Sequence, residues 1–197
     1  MRLLENCALL GFAAACMWCA AIIPVTAQLL QPEAKDNSAS VVIEMEPGSP
    51  VATGSHLQFK ITARARGYLI LLAIDAEGGV KQIFPSLSGD GLPYGATDET
   101  NSLKPNSPVA VPDPRNVLGN FELFATTPGP AAAIALVSPV PVQLVSLADL
   151  PASTSDVATS VRNVFEMIKD LRIAPRNARA ALAAPKWSMV GFEYRVE

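Results

Sequence analysis

From Val41 onward, apolar and polar residues alternate and the pattern is cut every few residues by proline or glycine, leaving little room for long helices. "HLQFKITARAR" (56–66) is the clearest case. Leu57, Phe59, Ile61 and Ala63 alternate with Gln58, Lys60, Thr62 and Arg64, the pattern of a half-buried strand. "VVIEMEPG" places Val41, Ile43 and Met45 on one face and Glu44 and Glu46 on the other. The chain has 17 prolines in 197 residues, above the usual share of about 5%. They fall mostly between apolar runs, where loops join strands.

The run "YLILLAID" is apolar on both faces until Asp75, which predicts a central strand covered on both sides. "DAEGG" is a turn sequence: Gly78 and Gly79 tolerate positive φ, and Asp75 can accept nearby backbone amides. "VKQIF" returns as the partner strand and Pro85 ends it, so the stretch is a β-hairpin. Residues 86–108 have little periodicity and form a long loop, a class that is functional or mobile. "VAVP" (109–112) suits a short edge strand, with further strands expected at 120–126, 131–138 and near 140–146.

The tail changes period. Val157, Val161, Val164, Ile168 and Leu171 make one helical stripe, with Ser155 or Asp156 as its cap and Pro175 as its stop. "RNARAALAA" suggests a short second helix. "KWSMVGFEYRV" then returns to period two, with Val190, Phe192, Tyr194 and Val196 on one face. The expected fold is mainly β: an antiparallel β-sandwich, Ig-like or open-barrel in type, with a C-terminal helical excursion (156–184) before a closing strand.

The N-terminus has a different purpose. Met1–Ala27 carries Arg2, the apolar run "CALLGFAAACMWCAAII", and small residues Val25 and Ala27 ahead of a cut before Gln28, the pattern of a secretory signal peptide. Glu5 weakens the positive leader. The alternative is an uncleaved anchor, but a run of about 17 apolar residues is short for a spanning helix, and Pro24 interrupts it. "AAAC" (13–16) faintly resembles a lipoprotein processing site, although Ala13 replaces the larger aliphatic residue and acylation at Cys16 would leave "MWCAAIIPV" exposed. All three cysteines (Cys7, Cys16, Cys19) lie in the signal, so the exported chain has no disulfide, thiol nucleophile or thiolate metal site. Residues 28–40 read as a flexible lead-in, and 41–197 as one domain with no membrane span after cleavage. The formal net charge of −3 gives no electrostatic reason to expect nucleic acid.

One further pattern spans much of the chain: "GSHLQFKITARARGYLILLAIDAEGGVKQIFPS", then "LKPNSPVAVP", "FELFATTPGPAAAIALVS" and "PVPV". Over roughly residues 54–142 this run resembles the bacterial domain-of-unknown-function family 4384, with its Gly-Tyr-Leu, Asp-x-x-Gly and aliphatic-Phe-Pro sequence. Ser86 departs from the Asn commonly found after Phe-Pro, and the following loop is long. The resemblance implies a secreted or envelope β-rich domain. In relatives it is often fused to caspase-like peptidases, protein kinases or other envelope modules, as an accessory or binding part. It implies no catalytic residues.

Each candidate site has a plain structural alternative. Asp75 and Glu77 could form an acid/base pair or supply oxygens to Ca²⁺, but a hairpin tip lacks the burial that splits carboxylate pKa values. The spacing also lacks the calcium-loop pattern. Turn formation is the expected role. His56, the only histidine, opens a strand, and its neighbour Ser55 points to the opposite face, so they are no ready dyad. No Gly-x-Ser-x-Gly elbow supports a triad built from afar. Loop residues Asp90, Tyr94, Asp98, Glu99, Asn101 and Lys104 could grip a sugar or peptide, or simply be solvated. The helix stripe could bind a partner but more often packs on a sheet. Arg172, Arg176 and Arg179 suit a helix C-terminus or anionic envelope material. Trp187, Phe192 and Tyr194 are expected to pin the last strand to the core. No phosphate loop, dinucleotide fingerprint or histidine-based zinc spacing occurs.

These readings lead to an exported (periplasmic or secreted), non-catalytic envelope module that engages a protein partner without cofactor or metal. A polysaccharide or small-ligand binder using loop 86–108 is the alternative, and an enzyme with an unrecognised site is a third.

Overall fold

A computed structural model describes residues 29–30, 36–86, 101–113, 121–148, 150, 156–170 and 186–197. Its strands are β1 (Leu29–Leu30), β2 (Val42–Glu46), β3 (Gln58–Thr62), β4 (Gly67–Ile74), β5 (Val80–Phe84), β6 (Ser102–Leu103), β7 (Val109–Val111), β8 (Gly129–Ser138) and β9 (Ser188–Val196), with one helix, α1 (Val157–Asp170), before β9. Two antiparallel sheets form. The larger runs β1-β9-β8-β4-β5 with β6 on β4, and the smaller runs β2-β3-β7. The architecture is an open sandwich with a helix added as a third layer.

β4 shows why the layers stack as they do. Its side chains alternate between faces. Leu69 and Leu71 face the smaller sheet and pack with Ile43, Phe59 and Ile61. Ile70, Leu72 and Ile74 face the helix and pack with Val157, Val161, Val164 and Ile168. A strand apolar on both sides thus meets two apolar partners, as its sequence predicts. Each buried aliphatic contributes roughly 1.5–3 kcal/mol. β8 alternates in the same way, sending Ala133, Ala135 and Val137 toward the sandwich and Ile134 and Leu136 toward the helix. The helix stripe therefore packs on the sheet.

Several local expectations change. The stretch 120–126, expected as a strand, makes a single bridge between Phe124 and His56 within its described part. The turn at Thr53–Gly54, with Gly54 at φ 85, carries the partner away after that pair. No strand forms at 140–146. Pro139 and Pro141 remove two backbone donors there, and the segment is held by side chains instead. Within the expected loop 86–108, Ser102–Leu103 pairs with Gly67–Tyr68 as β6. β7 lies on a sheet edge, as expected from "VAVP".

The lead-in 28–40, expected to be flexible, is engaged in two places. Leu29–Leu30 pairs with β9, and Ala39 is buried, its amide donating to Ser188 Oγ at 2.8 Å. The expected signal segment (1–27), loop residues 87–100 and residues 171–185, with Leu171, the three arginines and the second expected helix, lie outside the described residues.

Candidate functional site

The β4–β5 hairpin is built by its turn. Asp75 Oδ1 accepts the amides of Glu77 at 3.0 Å and Gly79 at 2.7 Å. Gly78 takes φ 82, and a Cβ on Gly79 would come within 2.6 Å of Asp75 Oδ2. One Asp75 oxygen is thus occupied by backbone donors. The turn is tied to the helix layer by Ser160, whose Oγ donates to the Gly78 carbonyl at 2.9 Å.

His56 is exposed and tilts against Phe124, with ring centroids 4.3 Å apart. Asn101, a candidate loop residue, is buried: its Nδ2 donates to the carbonyls of Leu69 at 2.8 Å and Val142 at 2.7 Å. Its amide group joins β4 to the segment after β8, so its contacts lie within the framework. Lys104 is exposed on the far side of β6 in sequence, and Asp90, Tyr94, Asp98 and Glu99 lie outside the described residues. Phe192 and Tyr194 pack against the sandwich core and Trp187 is buried on the helix side, the pinning role their positions predict.

At the hairpin end of the sandwich the two layers part. The gap is a half-open pocket of about 180 Å³. Its origin lies in side-chain size: Ala73 on β4 and Ala131 on β8 are too small to fill the space between layers. Leu57, Leu123 and Ile83 complete the apolar lining, while Lys81, Asp75, Thr126 and Phe124 form its polar and aromatic rim. Phe124 is 39% exposed. Tyr194 also lines the pocket, with its ring 6.0 Å from that of Phe59. Burial pushes its phenol up to about 12, so it is a neutral hydrogen-bond donor at ordinary pH. Among the described residues its hydroxyl has no hydrogen-bond partner, and neither Lys81 nor Asp75 is in an ion pair.

Lys81, Phe124 and Tyr194 were not legible as one site. The available signal was the run of alanines in "GPAAAIALVS", small residues on a strand that must face another layer. Reading a pocket from it requires knowing that β8 lies beside β4, which only the register supplies.

Among the described residues, no group of three or more His, Cys, Asp or Glu side chains is placed to hold a metal ion. Among the same residues, no helix is long and apolar enough to cross a membrane. No curated protein and no solved structure matches the chain. Residues 51–141, which run from the segment before β3 through β8, match one family model. Over that span the chain is similar to the family described as a domain of unknown function, DUF4384.

Proposed function

We propose that the chain is an exported, non-catalytic accessory domain of the bacterial cell envelope that engages a protein partner. The observation that carries this reading is the half-open interlayer pocket, with apolar walls and an exposed Phe124 at its lip. Apolar concavities with a few convergent polar groups are the usual form of binding sites. The groups around this one suit recognition: a neutral phenol donor, a lysine without an ion pair among the described residues, and an aromatic ring on the surface. Acid/base chemistry would instead require a pair of groups with pKa values driven apart near neutrality. Export rests on the Met1–Ala27 sequence, which has the charge, apolar run and small-residue cut of a cleaved signal.

The test is crosslinking of the tagged, exported chain in its native envelope, with mass spectrometry of what is retained. One recurrent protein, recovered with crosslinks that map to residues around the pocket, is the expected result. Retained glycan in place of protein would overturn the reading in favour of a saccharide binder.

A further inference from the structure

The pocket lies beside a strand-like segment whose backbone is only half used. Leu57 N donates to Leu123 O at 2.8 Å, and Ala125 N donates to Ser55 O at 2.9 Å. His56 and Phe124 are therefore the non-hydrogen-bonded pair between these two bonds, and the Phe124 N–H and C=O point away from residues 55–57. Neither group has a hydrogen-bond partner among the described residues. An outward-facing donor and acceptor on an extended segment form a template for one more strand.

We propose that this segment accepts an extended stretch of another polypeptide, which pairs with the Phe124 backbone and places one apolar side chain in the interlayer pocket. The proposal rests on the protein-partner reading above and names the recognition mode. Three features favour a peptide as occupant. Strand addition uses main-chain hydrogen bonds for affinity and pockets for alternate side chains for selectivity, and here the outward-facing Phe124 backbone adjoins a pocket. The pocket volume of about 180 Å³ suits one aromatic or branched aliphatic group, since an engineered cavity of about 150 Å³ holds benzene. The rim carries one carboxylate and one ammonium, Asp75 and Lys81, with no ion pair to either among the described residues. They are diagonal neighbours across the hairpin, about 7–8 Å apart by strand geometry. A rim of both signs suits the uncharged, dipolar peptide backbone better than a polyanion or polycation.

The experiment pans a displayed library of random short peptides against the full exported chain and against two variants. Phe124→Pro removes the outward N–H while leaving the inward bonds of Leu123 and Ala125 in place. Ala73→Leu fills the pocket from its floor. Enriched peptides should share one apolar residue at a fixed place. Each variant should weaken their binding about tenfold or more, the loss of about 1.4 kcal/mol of contact. Thermal unfolding of each variant checks its fold, and Ala73→Leu decides the matter alone if Phe124→Pro does not fold.

Undiminished binding to a folded variant overturns the proposal. So does a library that yields no peptide, or a bound species that proves to be a second copy of this chain. If envelope crosslinking still returns a protein partner in those cases, the partner reading stands and only this mode of recognition fails. Retained glycan would remove both.

Discussion

The Gln82 side chain accepts the Val145 amide through Oε1 at 3.2 Å while its Nε2 donates to the Gln143 carbonyl at 2.8 Å and the Pro85 carbonyl at 3.0 Å. One buried amide thus does for residues 143–145 what a neighbouring strand would do. Asn101 repeats the device at Val142. Together they hold a proline-interrupted segment against β5 and β4 without a ladder.

Gln82→Ala leaves the buried Val145 amide and two carbonyls without this partner. Stranded buried groups cost about 1–3 kcal/mol, so the midpoint of urea unfolding should fall accordingly. Hydrogen exchange at Val145 should quicken before exchange at β8. An unchanged Val145 exchange rate would mean that apolar packing alone holds the segment.

Gly67 is a steric requirement of the β4–β8 pair. A Cβ there would lie 2.5 Å from Val137 Cγ1 and 2.8 Å from the Ser138 carbonyl oxygen, and the latter is backbone that cannot swing aside. Gly67→Ala should therefore destabilise by about 1–3 kcal/mol, the usual range for overpacking. Gly48→Ala, where a Cβ meets nothing within 4 Å, serves as the control and should leave the unfolding midpoint close to that of the parent.

The start of α1 predicts opposite pH dependences for two carboxylates. The Thr159 hydroxyl and the Ala158 amide hold Asp156 below its usual value of 3.8. A depressed carboxylate contributes stability above its unfolded pKa that is lost as pH falls through the folded one. Burial raises Glu193 above 4.5, with the Asp156 charge adding to the effect. Its protonated form is favoured in the fold, so that contribution is present at low pH and is lost as pH rises through the raised value. Asp156→Asn should flatten the acid limb of the stability curve and lower the Glu193 pKa, both read by NMR titration. A Glu193 pKa that stays put would leave burial as its only cause.

Tyr194 gives an alkaline signature. Its phenol is pushed up from 10 to about 12 by burial, so the stability it lends is complete below pH 10 and drains away as pH rises toward 12. Tyr194→Phe should remove that alkaline slope while leaving the neutral unfolding midpoint nearly unchanged. An absorbance titration should show a late phase from Tyr194 in the parent that the variant loses. A parent without that late phase would indicate that the pocket admits water freely to the Tyr194 ring.

Short-range features were legible because each is settled within a few residues. Asp75, Gly78 and Gly79 close their turn with backbone and side-chain groups four residues apart at most. The alternation in β3 and the double apolar face of β4 follow from the strand period itself. The helix stripe follows equally from the helical period. Over-reading came where a stretch had strand-like composition but no partner of sufficient length, as at 120–126 and 140–146. Pairing is a property of two segments, and sequence shows only one at a time.

The same limit divides what each level decided. From sequence alone came the sandwich class, the hairpin, the helix that packs by one face, the family resemblance and the expectation of export. Each depends on local periods, turn chemistry or a run of motifs. Tertiary structure alone brought Ala73, Ala131, Lys81 and Tyr194 around one pocket and turned the Phe124 peptide groups outward. Asn101, which composition placed among loop residues, became a buried clamp because β6 pairs with β4. Small side chains leave a void only where two layers meet. A backbone group is unpaired only with respect to its neighbours in space, which local sequence does not name.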